Sequence, residues 1–194
     1  CEPPSKRTKR RQPEGRGSRL AVRPQPIELK GETVELSTSA PVWISDDGAG
    51  LAEQVAKILQ LGGVDTQIVS LEQLPTVADS LAGLILLAPL QPQESFITQA
   101  LELLQLAASA LRKSGQSGGA VLAGVSRMDG GFGLIDPAFD NTLAAGLSGL
   151  IKTAHHEWPE VTCRSIDITS SWNNEQASEA LVQAILSKGP LETG

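Results

Sequence analysis

Pro41-Val42-Trp43-Ile44-Ser45-Asp46-Asp47-Gly48-Ala49-Gly50-Leu51 sets the fold reading of this chain. Three apolar residues in a row read as a short buried strand. A polar, glycine-bearing turn follows, and Leu51, Val55, Ile58 and Leu59 then recur at helical spacing up to Gly62-Gly63. The unit repeats downstream. Gln67–Val69 and the run Leu84–Leu87 read as strands, the second covered on both faces. Phe96, Ala100, Leu103, Leu104, Ala107 and Leu111 mark a long amphipathic helix. Ala120–Val125 is a further buried strand, followed by a glycine-rich loop over Ser126–Pro137. Leu143, Leu147, Leu150 and Ile151 mark a helix that stops near Pro159, Val161–Ile168 a strand, and Ala177, Leu181, Val182 and Ile185 the last helix. Strands alternating with helices imply a doubly wound parallel sheet of the Rossmann-like α/β class.

The flanks read differently. Residues 1–37 are expected to be a basic, proline-rich linker with a possible short edge strand near Ile27, Leu29, Val34 and Leu36. Residues 38–190 form the α/β domain, and 191–194 begin a further linker. Nine of the sixteen Lys and Arg lie in residues 1–30, against three of the twenty-two acids, so residues 31–194 carry a net charge near −12. So acidic a body argues against nucleic acid as its main partner, because phosphate binding needs clustered cations. The basic run Lys6–Arg11 leaves a salt-sensitive nucleic-acid tail as a distant alternative. Two cysteines, Cys1 and Cys163, imply no disulfide framework and fit a reducing cytoplasm. No apolar run is long enough to span a bilayer. A first residue that is not Met suggests a piece of a longer polypeptide.

The turn after the first strand is where a dinucleotide's pyrophosphate would rest on a helix N-terminus. Here it offers only Gly48 and Gly50, and Asp46 and Asp47 beside them would repel phosphate. Helix capping is the expected role of these acids. Glu72 lies roughly where a ribose-binding acid would stand. His155, His156 and Glu157 are consecutive and point to different sides of a helix, so no metal site is expected there. Cys163, Trp43 and Trp158 read as packing residues.

Ala145-Gly146-Leu147-Ser148-Gly149-Leu150-Ile151-Lys152-Thr153-Ala154-His155-His156-Glu157-Trp158-Pro159, followed by Cys163-Arg164-Ser165-Ile166-Asp167-Ile168, resembles the late helix and strand of short-chain dehydrogenases/reductases. More narrowly it resembles the ketoreductase region of polyketide synthases and bacterial polyunsaturated fatty acid synthases. Ser126-Arg127-Met128-Asp129-Gly130-Gly131-Phe132-Gly133 and Ser45–Ala52 are similar to the preceding loop and to the degenerate first turn of these domains. The likeness covers about residues 38–190. It implies the truncated, non-catalytic structural half of such a ketoreductase, whose other half binds NADPH and reduces a β-ketoacyl group on the phosphopantetheine of an acyl carrier protein. The implied partners are that catalytic half and the carrier domains. No cofactor is expected on this piece.

An active member of the family needs a Tyr and, four residues on, a Lys. Counted from Gly149, those positions hold Asp140 and Ala144, and the chain contains no Tyr. A carboxylate at neutral pH has no proton to give and an alanine has no charge to tune it. Ser126 falls near the family's carbonyl-orienting Ser and is expected to be a loop hydroxyl. A bracing domain of this kind should expose apolar surface for its other half. The competing reading is a divergent reductase that itself binds NADPH.

Overall fold

The computed structural model describes residue 25 and residues 33–76, 78–136 and 142–194. Residues 1–24, with the basic run, lie outside the described residues, as do residues 26–32 and Asp140. The expected alternation holds. In chain order the elements are β1 (Val42–Ser45), α1 (Leu51–Leu61), β2 (Thr66–Val69), β3 (Gly83–Leu87), α2 (Phe96–Ser117), β4 (Val121–Met128), a 3-10 turn (Leu143–Ala145), α3 (Gly146–Glu157), β5 (Thr162–Thr169), α4 (Asn174–Leu186) and β6 (Glu192–Thr193).

The six strands form one parallel sheet in the order β2-β1-β3-β4-β5-β6. A full Rossmann sheet reads 3-2-1-4-5-6; without its outermost strand 3, and renumbered, it becomes 2-1-3-4-5, the order seen here with β2 at one edge and β6 added at the other. The chain winds one way from β1 to β2 and the other way from β3 onward. The switch point therefore lies between the carboxyl ends of β1 and β3.

Alternate strand residues feed two cores. Trp43, Leu84, Leu86, Leu122 and Cys163 pack under α2 and α3. Val42, Ile44, Ile85, Leu87 and Val125 pack under α1 and α4. Every residue of β3 and β4 is buried, which explains the unbroken apolar run of β3 and of the first five residues of β4 at the centre of the sheet. Trp43 is a core anchor whose indole N–H donates to Gln67 Oε1 at 3.1 Å. Gly124 in β4 is a contact requirement: a Cβ there would sit 2.5 Å from Ile151 Cγ1 and 3.0 Å from Leu147 Cγ, so its absence lets α3 lie close on the sheet.

Three expectations change. β4 runs to Met128, because Ser126, Arg127 and Met128 pair with Asp167, Ile168 and Thr169, so Ser126 is a strand residue and not a loop hydroxyl. Residues 192–193 pair with Ser165 and Ile166 as the sixth strand, so 191–194 does not simply lead out of the sheet. The late helix begins at Gly146 rather than Leu143. Ala144 lies in the preceding 3-10 turn. Of the possible edge strand, Thr33 makes an antiparallel bridge to Ser187.

Gly124→Ala should lower unfolding stability by about 1–3 kcal/mol through overpacking. Gly149→Ala, where the added methyl meets nothing within 4 Å, should raise it by roughly 0.5–1 kcal/mol in a helix interior. Urea unfolding of the two variants checks both signs.

Candidate functional site

The first turn is closed by its own carboxylates. Asp47 is buried, and its Oδ1 accepts the amide N–H groups of Leu51 and Ala52, both at 3.0 Å. These are the first two amides of α1, the donors a phosphate would use. Asp46 Oδ1 takes the Gly48 amide at 2.8 Å. The expected capping role is thus carried by Asp47, reaching forward past Gly48 and Gly50, which both adopt positive φ (67° and 85°). The turn is tied sideways as well: Asn174 donates to the Ala49 carbonyl at 2.6 Å and accepts from Arg127 at 3.2 Å.

Around this turn, at the switch point, lies a cleft of about 360 Å³ whose walls include Asp46, Asp47, Ser70, Glu72, Gln93 and Gln99. Glu72 stands in the turn after β2 and adds a third carboxylate. No basic side chain is among the lining residues. The electrostatics of the cleft oppose a polyanion.

The second constellation lies at the carboxyl ends of β4 and β5. Ser126 is buried in β4 and donates its hydroxyl to Asp167 Oδ1 at 2.6 Å. The same oxygen takes the Met128 amide at 3.0 Å. Asp167 Oδ2 accepts the amides of Gly130, Gly131 and Phe132 at 2.9, 3.0 and 2.9 Å. Asp129 does the same for the next stretch, its Oδ1 accepting from Gly131 and Gly133 and its Oδ2 from Ile135 and Asp136, all at 2.8–2.9 Å. Burial pushes the Asp129 carboxyl upward, but these four amide bonds outweigh it and bring it from 3.8 to about 2. The loop is sharply folded: Phe132 adopts φ 58° and is flanked by Gly130 and Gly133 at 77°.

The structure therefore brings Ser126 beside Asp167 rather than beside a proton donor. Asp140 is outside the described residues. Ala144 is buried, and a Lys there would have to enter the α2–α3 core. Cys163 is buried in β5, and desolvation pushes its thiol up to about 11, so it stays protonated and unreactive. His155 and His156 are exposed in the last turn of α3 with rings 5.6 Å apart. Among the described residues no three His, Cys, Asp or Glu side chains cluster as a metal site would need.

Comparison with solved structures places the fold. The chain aligns with part of the adenylation, ketoreductase and pseudo-Asub multidomain structure of a keto acid-selecting NRPS module, with a TM-score of 0.57, 13% identity and 87% of this chain covered. It aligns with a GDP-L-fucose synthetase from Naegleria fowleri with a TM-score of 0.52 and 10% identity over 85% of this chain. It has a Rossmann-like α/β fold. It spans 16% of the first protein and 74% of the second. No family model and no curated protein matches the sequence. Among the described residues no helix is long and apolar enough to cross a membrane.

Asp167→Asn would turn an amide NH₂ toward several backbone donors, and should cost roughly 2–4 kcal/mol of unfolding stability through unsatisfied buried groups. For Asp129, a folded-state value below 3.8 means the stabilisation is fully present above pH 4 and fades as pH falls toward 2. Acid unfolding followed by circular dichroism should show this loss in the parent chain, and a flatter profile between pH 4 and 2 in Asp129→Asn.

Proposed function

We propose that this chain is the non-catalytic structural half of a ketoreductase, bracing an NADPH-dependent β-ketoacyl reductase half within a polyketide-type synthase, of the kind that makes polyunsaturated fatty acids. The observation that carries the reading is Asp47. Its Oδ1 accepts the two amides at the start of α1, in the place where a cofactor's pyrophosphate would bind. The chemical positions are also blank. Ser126 has given its only proton to Asp167, Ala144 replaces the family's Lys inside a core, and the chain has no Tyr.

The sequence motifs supply the family, and the fold agrees with it. The β2-edged sheet is what remains when a Rossmann sheet loses its outer strand. Apolar residues stand available for a partner half. Leu101 on α2, Leu143 ahead of α3, and Leu134 and Ile135 in the loop after β4 are each more than a third exposed. In this reading the cofactors of the whole synthase, NADPH and carrier-bound phosphopantetheine, belong to its other domains.

Fluorescence titration of the 194-residue chain with NADPH should show no saturable binding. Assay with acetoacetyl-pantetheine should show no ketone reduction. Joined to an active reductase half, the chain should raise that half's thermal stability, and Leu101→Glu with Leu143→Glu should remove the gain. Saturable NADPH binding with turnover by this chain alone would sink the proposal and favour the divergent reductase.

A further inference from the structure

In open α/β sheets, ligands bind outside the carboxyl ends of the strands, where the winding reverses. The cleft of about 360 Å³ lies at that place and has the size of a small-molecule pocket. Asp46 and Asp47 line it from the β1–α1 turn, and Glu72 from the turn after β2. Leu71, Pro89 and Phe96 supply an apolar side.

The fold answers only part of this charge. Asp47 Oδ1 takes two helix amides and Asp46 Oδ1 one turn amide, all neutral donors. Among the described residues no Lys, Arg or His side chain pairs with any of the three carboxylates. Asp47 is only 4% exposed, yet its Oδ2 has no hydrogen-bond partner. Oδ1 is the oxygen turned to α1, so the unpaired acceptor belongs to the other side of a side chain that lines the cleft. A buried acceptor left unpaired is costly, and a donor that reaches it removes that cost. This atom points to a ligand independently of the number of acids around it.

The arrangement selects the kind of cation. A metal ion draws several ligand atoms onto one point. Among the described residues no three His, Cys, Asp or Glu side chains gather that closely. Here the acids come from two separate turns and share the cleft with an apolar side. A ligand that answers all of these carries N–H donors at intervals along a methylene chain. We propose that the cleft binds a linear polyamine. One ammonium group donates to Asp47 Oδ2 and another to Asp46 and Glu72, with methylenes against Leu71, Pro89 and Phe96. An ammonium has three donors and no acceptor, which suits a site of carboxylates. A cleft lined by one sign of charge also raises the local concentration of the other. The cap of α1 is kept, because ligand and helix use different oxygens of Asp47.

The probe is spermidine, titrated calorimetrically into the full chain at low ionic strength, where charge contacts are least screened. One saturable site is expected. Glu72 is exposed in its turn, so Glu72→Gln leaves the core untouched. It should weaken binding about tenfold, the worth of one hydrogen bond to a charged group. Glu179→Gln makes the same charge change at an exposed position on α4 and should keep the affinity within about twofold. Glu72→Lys should abolish the binding heat. Magnesium ion at matched ionic strength should not displace spermidine. Absence of a saturable site would overturn the assignment. So would equal weakening by Glu72→Gln and Glu179→Gln, which would mean diffuse attraction to an acidic body, or displacement by magnesium, which would mean a site for a point charge. The polyamine site does not rest on the reading of the chain as half of a ketoreductase, and the spermidine and NADPH titrations report separately.

Discussion

A single buried carboxylate, that of Asp167, holds the carboxyl ends of the central strands together. Taking an ionised acid out of water costs several kcal/mol unless its oxygens are well paired. Asp167 meets one hydroxyl and four backbone amides from Ser126 to Phe132. Each of those donors would otherwise need its own partner at a sharply folded chain reversal. The interaction ties β4 to β5 in register and folds the glycine-rich loop onto the strand end. It also engages the Ser126 hydroxyl as a donor inside the protein.

The β1–α1 turn follows the same logic with Asp47. A helix N-terminus presents unpaired amides and a partial positive charge, and something anionic must answer them. In a nucleotide-binding domain the answer comes from solution and leaves again. Here it is part of the chain itself: Asp47 Oδ1 accepts the first two amides of α1. Asp129 repeats the arrangement in the loop with three further amides and a share in that of Gly131. Three internal carboxylates thus accept most of the loop and helix-start amides at this end of the sheet.

The scaffold was readable because burial writes itself into composition. Leu84–Leu87 is apolar without interruption because it sits between β1 and β4 with helices on both faces. The spacing from Phe96 to Leu111 is helical because only one side of α2 meets the sheet. The carboxyl end of β4 was misread because Ser126 and Arg127 are polar and lead into glycines, a pattern that local propensity assigns to a loop. What makes them strand is long-range: pairing with Asp167 and Ile168, and contacts from Arg127 to Asn174 and the Trp172 carbonyl. β6 escaped because two residues after Gly189-Pro190 carry no periodicity. Asp167 did leave a trace. An acid between Ile166 and Ile168 in a strand of buried residues had to be collecting donors, and the nearest excess of free amides was the glycine-rich stretch after β4.

Size and shape complete the case that charge begins. The switch-point cleft is about 360 Å³, near the lower end of pockets that enclose a single drug-sized ligand. A dinucleotide is larger, and in a full Rossmann sheet it lies across both mononucleotide-binding halves. With β2 at the edge, the strand that would extend the first half outward is missing, and Glu72 stands in a turn at the margin of the sheet. An anion large enough to reach Glu72 would also meet Asp46 and Asp47, so the size of the cleft and its charge act in the same direction.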